Sequence, residues 1–244
     1  MKKLLPFKKS KKLLNIDNNA KTVKGQKFGY KTAILYLAPS DVSGFNVCPM
    51  ASKGCKKVCL NTSGHGAFSN VQEGRINKTR WLIQEPDTFM KQFINEIKNF
   101  VINCEKNGFI PCLRPNGLSD ISWENKRFEG KTIFDLFPNL IIYDYTKIYK
   151  RQLKFLNGEM PKNYHLTFSL DEDNEKEAFN VLKLGGNISA VFRKYLPKTF
   201  KGFKVINADE TDLRFLDLKN SICGLIAKGK AKTDFESGFV LDAQ

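Results

Sequence analysis

No apolar run in this chain approaches the roughly 20 residues that a membrane-spanning helix needs. Its first residues, MKKLLPFKKSKKLLN, break every apolar piece after two residues. The continuous apolar core of a secretory leader is missing there, so the expectation is a cytoplasmic protein with no membrane partner. GxGxxG, Walker, HExxH and nucleophile-elbow motifs are missing too. That removes the simplest dinucleotide, P-loop, zincin and hydrolase readings. No internal repeat, linker or low-complexity segment divides the chain. Histidine occurs only twice, and acids are scarce: 25 Asp and Glu stand against 40 Lys and Arg, for a net charge of +15.

What is present suits a globular protein. The 244 residues are 41 % hydrophobic, enough for one large α/β domain. The positive charge favours encounter with phosphates, so a nucleotide or nucleic acid is the expected partner. Lys- and Asn-rich composition also follows from an AT-biased genome.

Three of the six cysteines fall within one stretch, CPMASKGCKKVCLNTSGHG, from Cys48 to Gly66. Cys55 and Cys59 are one helical turn apart, which puts both thiols on one face. Pro49 and Gly54 lie in a loop long enough to bring Cys48 to the same point. Thiolates that converge hold a soft metal, either an iron–sulfur cluster or zinc. The plainer alternatives are a disulfide or buried free thiols. His65, in the Gly64-His65-Gly66 loop, is a candidate fourth ligand. His165 sits inside an apolar strand and reads as structural. Cys104, Cys112 and Cys223 are isolated in apolar surroundings and read as small buried hydrophobes.

Residues 1–29 read as a basic, partly disordered arm, and residues 30–244 as one domain. Tyr30 to Leu37 is a continuous apolar run of strand length, which suits a parallel strand buried on both faces. Helical spacing follows over Asn70–Gln84 and after Pro86. Short apolar strands then recur at Phe109, Leu140, Tyr164, Ile188, Phe203 and Ile222, most of them separated by helical segments. Such alternation predicts a parallel sheet with helices outside, a complete or partial (β/α) barrel, with a doubly wound open sheet as competitor.

Polar residues follow nearly every strand, and in a parallel barrel these converge on one mouth. The cysteine loop, Arg114, Asn116, Asp120, Asp144, Lys147, Ser169, Arg193, Asp209, Asp212 and Lys228 are the members. Arg114, Arg193 and Lys228 suit a phosphate or carboxylate, with Asn116 and Ser169 beside them. Asp120 and Asp144, with Lys147, are the candidates for acid–base work. An Asp–Arg rim pair that only closes the mouth is the structural alternative. Trp123 is expected to support the turn that carries Asp120.

Several stretches resemble one family. These are YLAPSDVSGFNVCPMASKGCKKVCLNTSGHG, RPNGLSDISWE, YDYTK, YHLTFSL and GLIAKGKA, and they are similar to the phage-encoded "gene product 88" family from about Tyr30 to Val240. The resemblance implies a phage or prophage origin, hence the cytoplasm of an infected bacterium, and brings no reaction with it. More loosely, three cysteines in the loop after the first strand of a partial barrel are similar to the radical S-adenosylmethionine enzymes. That likeness implies a 4Fe–4S cluster on Cys48, Cys55 and Cys59 with one iron open for S-adenosylmethionine. The chain departs from those enzymes in its cysteine spacing and lacks their Gly-Gly-Glu strand end, since Gly185-Gly186 precedes a strand.

Three functions compete. One is an iron–sulfur enzyme acting on a nucleotide or nucleic acid. The second is a zinc-containing, transglycosylase-like base-modifying enzyme in which Asp120 or Asp144 is the nucleophile. The third is a zinc-stapled protein that binds nucleic acid or a host factor without catalysis.

Overall fold

A computed structural model describes residues 4–243. Ten strands form one sheet: β1 (Leu14–Ile16), β2 (Tyr30–Leu35), β3 (Ile110–Arg114), β4 (Ile141–Thr146), β5 (Tyr164–Ser169), β6 (Ile188–Phe192), β7 (Thr199–Phe200), β8 (Phe203–Asn207), β9 (Ser221–Ile226) and β10 (Val240–Leu241). Seven α-helices accompany them among the described residues: α1 (Ala20–Gly25), α2 (Lys53–Lys57), α3 (Ser69–Gln84), α4 (Pro86–Lys106), α5 (Ile133–Leu136), α6 (Tyr149–Leu156) and α7 (Glu175–Lys183). Among the described residues, no helix is long and apolar enough to cross a membrane.

The protein is thus a mixed α/β fold on a mostly parallel sheet. The order is β1-β2-β3-β4-β5-β6-β9-β8-β7, with β10 added beside β6. Only β1 against β2 and β7 against β8 are antiparallel. The closed barrel is not what forms: among the described residues no pairing joins the two edges of the sheet. The expected order also fails at one place, because β9 inserts between β6 and β8. Among the described residues no α-helix connects β8 to β9, only a single 3-10 turn at Arg214–Leu216. Instead the connecting segment reaches back over the sheet to β3 and β4, where Asp212 meets Arg114, Tyr143 and Tyr145. Phe215 touches Tyr30 of β2 and Tyr143 of β4. A segment leaving one end of the order can touch strands near the other end only if the sheet curls around it. That segment fills the inner face.

Local chemistry explains most of these elements. Pro86 opens α4, where its missing N–H costs nothing, and Phe89, Phe93, Ile97, Phe100 and Cys104 form a buried stripe at helical spacing. Thr132 and Asp135 form a reciprocal capping box on α5. β7 and β8 join through Lys201 and Gly202, both at positive φ, as a two-residue hairpin turn requires. The main core lies between the helices and the outer face of the sheet, around Phe89, Phe93, Trp123, Phe134, Ile142 and Leu166.

The first of the described residues, from Leu4 on, form a strap across α3 and α4. Leu5 N–H donates to Gln84 Oε1 at 2.6 Å, and Gln84 Nε2 donates back to the Leu5 carbonyl at 2.7 Å. The Glu96 carboxylate accepts the N–H groups of Leu13 and Leu14, and Lys78 Nζ caps the Leu13 carbonyl. Side chains on two helices thus satisfy the backbone of a segment whose own sequence shows no periodic apolar face. Residues 1–3 of the expected arm lie outside the described residues.

Candidate functional site

A cleft of about 640 Å³ opens at the carboxyl ends of the parallel strands. Ligands bind at this end in open parallel sheets as well as in barrels. β6 enters the sheet late: it pairs only with the last two residues of β5, Phe168↔Ile188 and Ser169↔Ser189. This step in register raises Ser189 and Val191 to the level of the cleft, where they form part of its wall.

Cys48, Cys55 and Cys59 all line this cleft, and all three are free thiols. Each is held by different neighbours. Cys48 Sγ accepts the Ser40 N–H at 3.1 Å and lies 3.4 Å from the Leu118 carbonyl. The Asp120 N–H to Val47 carbonyl bond, 2.8 Å, ties this part of the loop to the turn after β3. Cys55 sits on α2, whose Ser52 caps the Cys55 N–H. Glu172, in the loop after β5, grips the start of that helix through Gly54 N–H and Ser52 Oγ. A Cβ at Gly54 would come within 2.7 Å of Glu172 Oε1, so glycine is what permits this docking. Cys59 precedes Asn61, which Arg75 of α3 holds by both its backbone and its side-chain carbonyl.

Burial pushes the Cys48 thiol up to about 12, against the Ser40 N–H that favours its thiolate. Burial likewise raises Cys55 to about 11, with Lys147 acting in the opposite direction. Cys59 is raised by burial too, offset by the Asn61 N–H and Arg75. Among the described residues, no three His, Cys, Asp or Glu side chains form a group that chelates a single ion. The three thiols are separately anchored and line one cavity. His65 is exposed, rests on Phe68 and is not part of the cleft wall.

The facing wall carries cations, each held by a carboxylate. Arg114 Nη1 meets Asp212 at 2.9 Å, and its guanidinium lies 4.7 Å from the centre of the Tyr145 ring. Lys21 and Lys228 bracket Asp209 at 2.8 and 2.7 Å. Burial works against ionisation of Asp209, but the Ile226 N–H, Lys21 and Lys228 outweigh it and hold the carboxyl well below the usual range. Lys147 Nζ sits 3.0 Å from Asp171 and within 3.4 Å of Ser169 Oγ. Ser169, like Lys147, lines the cleft.

The two expected carboxylates part company: Asp120 lines the cleft and Asp144 does not. Asp144 is fully buried and is not among the residues lining the cleft. It accepts Asn116 N–H at 2.9 Å, Asn116 Nδ2 at 2.8 Å and Tyr164 OH at 2.9 Å. Burial lifts it to about 7 against the pull of Arg151. On β4, side chains alternate, so Asp144 points toward the helices while Tyr143 and Tyr145 point inward. Asp120 does line the cleft, yet both of its oxygens are engaged, by Arg151 Nη1 at 2.9 Å and by Lys147 N–H at 2.8 Å. Burial raises its pKa, while Arg151 and the Lys147 N–H pull it down. Asn116 reaches the cleft wall with its amide already spent: its Oδ1 accepts Ser119, Ile121 and Trp123. Trp123 is buried beneath the turn, as its sequence context suggests.

Arg193 leaves the anion site altogether. Its N–H pairs with the Leu241 carbonyl, which turns its side chain onto Asp242 and the Asp234 carbonyl. Sequence reasoning missed Lys21, which lay in the supposed arm. It also missed Arg151, which was hidden in a helix, and Glu172, whose partner is a backbone N–H.

Among known proteins, neither the curated sequences nor the solved structures give a match. A family profile does, that of gene product 88, over residues 9–242. Because it covers nearly the whole chain, including the strap, the cysteine loop and the C-terminal strand, the protein belongs to the phage gene product 88 family.

Proposed function

We propose that this protein is a metalloenzyme on a partial (β/α) barrel. Cys48, Cys55 and Cys59 hold an iron–sulfur cluster at one wall of the cleft, and the facing lysines and Arg114 bind a nucleotide or nucleic-acid substrate. The observation that carries this reading is that three free thiols, each anchored by its own neighbours, face one cavity at the carboxyl ends of the strands. The thiolates of a cubane each hold a different iron, whereas ligands of one zinc ion crowd to about 2.3 Å from it. A cluster held by three thiolates supplies electron transfer and one iron open to an outside ligand.

The chain's own residues do the remaining work. Arg114, Lys21, Lys228 and Lys147 are pre-positioned by Asp212, Asp209 and Asp171, so they meet an anion without losing much side-chain freedom. The volume, about 640 Å³, is in the range of small-molecule sites. Asp120 and Asp144 act beneath this surface: with Arg151, Glu124 and Tyr164 they fix the turn that presents the Cys48 loop and Lys147. They are positioning residues, and Lys147 is the side chain of that trio that faces the substrate.

The test is anaerobic reconstitution with iron and sulfide, in parallel with zinc, followed by metal analysis and nucleotide titration. Bound iron and sulfide in comparable amounts, with nucleotide binding weakened by Lys228→Ala, is the expected result. Stoichiometric zinc with no iron uptake would replace the cluster reading by the zinc one.

A further inference from the structure

We infer that the rim of the cleft is a docking surface for a single-stranded polynucleotide, which lays bases on exposed apolar side chains and phosphates on the lysines between them. This deepens the reading above by naming the form in which a nucleic-acid substrate arrives.

Three large apolar side chains stand in solvent around the cysteine loop. Leu60 is 51 % exposed, Phe68 58 % and Phe235 71 %. Leu60 opens one of three turns that pack together, and Phe68 and Phe235 follow the other two. The turn Leu60–Thr62 contacts both Gly64–Ala67, which leads into Phe68, and Gly229–Thr233, which leads toward Phe235. At Gly229 a Cβ would collide with Ser63 Oγ, so glycine lets the two turns meet. Phe235 is held in place rather than free. Its neighbours Asp234 and Glu236 both bind Lys57, and the Arg193 guanidinium lies 4.2 Å from its ring centre. One face of the ring is thus covered by a cation and the other is open. Phe68 is likewise steadied by the His65 ring, 5.8 Å away.

Lysines stand near Leu60 and Phe235. Lys56, Lys57 and Lys230 line the cleft beside Leu60, and all are exposed. A protein-binding face concentrates its apolar groups in a continuous core and sheds lysine from it. Apolar platforms set singly among lysines suit a strand, where every base offers a face to stack and every phosphate a charge. The net charge of +15 adds the long-range attraction. A paired duplex keeps its bases stacked inside and gains nothing from Phe68 or Phe235.

The experiment is fluorescence anisotropy of the purified full-length protein with a labelled oligothymidylate of about 15 nucleotides, a length at the upper end of single-fold site sizes. A duplex of the same length is the comparison. The strand should bind tighter than the duplex. Phe235→Ala and Phe68→Ala should each weaken it by about fivefold or more, the effect of losing one stacked base. Lys230→Ala should lower the salt slope by about 0.7. Visible spectra of the same variants should match the parent, so a loss of strand binding reports on the rim and leaves the metal reading standing. Absence of binding, equal affinity for duplex, or aromatic variants that bind like the parent would overturn the proposal. So would light scattering that shows a dimer broken by Phe235→Ala, since a second copy would then cover this face.

Discussion

The two polar regions beside the cleft differ in how far their groups are satisfied. Under the turn after β3, Asp120, Asp144, Asn116, Arg151, Glu124 and Tyr164 form a closed network in which Asn116 and all three carboxylates are fully engaged. Across from it, three free thiols line the cleft, and the cations beside them are held there by Asp212, Asp209 and Asp171. A closed network has nothing left to offer a ligand and serves to hold a shape. An open set of anchored donors is what a binding site requires. Carboxylates attract attention in a sequence because they can do acid–base chemistry, yet here the partners of Asp144 make it an internal strut.

The strongest test of this contrast is to remove the centre of the closed network. Arg151 is only 3 % exposed and bridges Asp120 and Glu124. Arg151→Leu leaves two buried carboxylates without their cation and should cost roughly 3–5 kcal/mol in denaturant unfolding. A cost below about 1 kcal/mol, the range of an exposed pair, would mean that the network is not structural.

Gly54→Ala acts on the open wall without touching a sulfur. The added methyl meets Glu172 and Ser237 at 2.7 Å and should cost about 1–3 kcal/mol as overpacking. It should also lower metal content, because α2 can no longer dock. Full metal content in a destabilised variant would separate Cys55 from that docking.

Asp144 and Asp209 sharpen the contrast through pH. Asp144 ionises near 7 in the folded protein, above an ordinary carboxylate near about 4. The native state therefore keeps this proton longer than the unfolded chain does. Its contribution is fully present below the unfolded pKa and is lost as pH rises from about 4 to about 7. Asp209 is shifted down, so its contribution is present above its unfolded pKa and is lost as pH falls. Asp144→Asn should flatten the stability profile across the first window, and Asp209→Asn should weaken only the acid limb. Identical profiles for parent and Asp144→Asn would contradict the buried assignment.

The smallest structural effect is expected at Lys228, which is half exposed in its pair with Asp209. Lys228→Ala should change stability by less than about 1 kcal/mol. Its nucleotide affinity should nevertheless fall. Unchanged affinity would remove Lys228 from the anion wall.

Much of the element pattern could be read from the chain, because apolar runs bounded by turn residues are local signals. The strands at Ile188 and Phe203 begin where the sequence suggested. Convergence of the cysteine loop, Arg114, Lys147, Ser169 and Lys228 on one cleft also followed from parallel topology. What could not be read depends on contacts distant in sequence. The insertion of β9 between β6 and β8 is one such feature, as is the packing of the segment carrying Asp212 and Phe215 against Tyr143 of β4. The strap owes its order to Gln84 and Glu96, roughly 80 residues away. The direction of Asp144 rests on a one-residue alternation, visible only once the inward face of β4 is known.

The cluster itself is most directly tested by anaerobic optical spectra and iron and sulfide analysis of the parent, of Cys48→Ser, Cys55→Ser and Cys59→Ser, and of Cys104→Ala, whose thiol is buried in the core. The expected result is a broad sulfur-to-iron charge-transfer absorption in the parent and in Cys104→Ala, lost or strongly reduced in each of the three cleft variants. A reconstituted parent that stays colourless and free of iron, or cleft variants that keep full iron and the same spectrum, would contradict it.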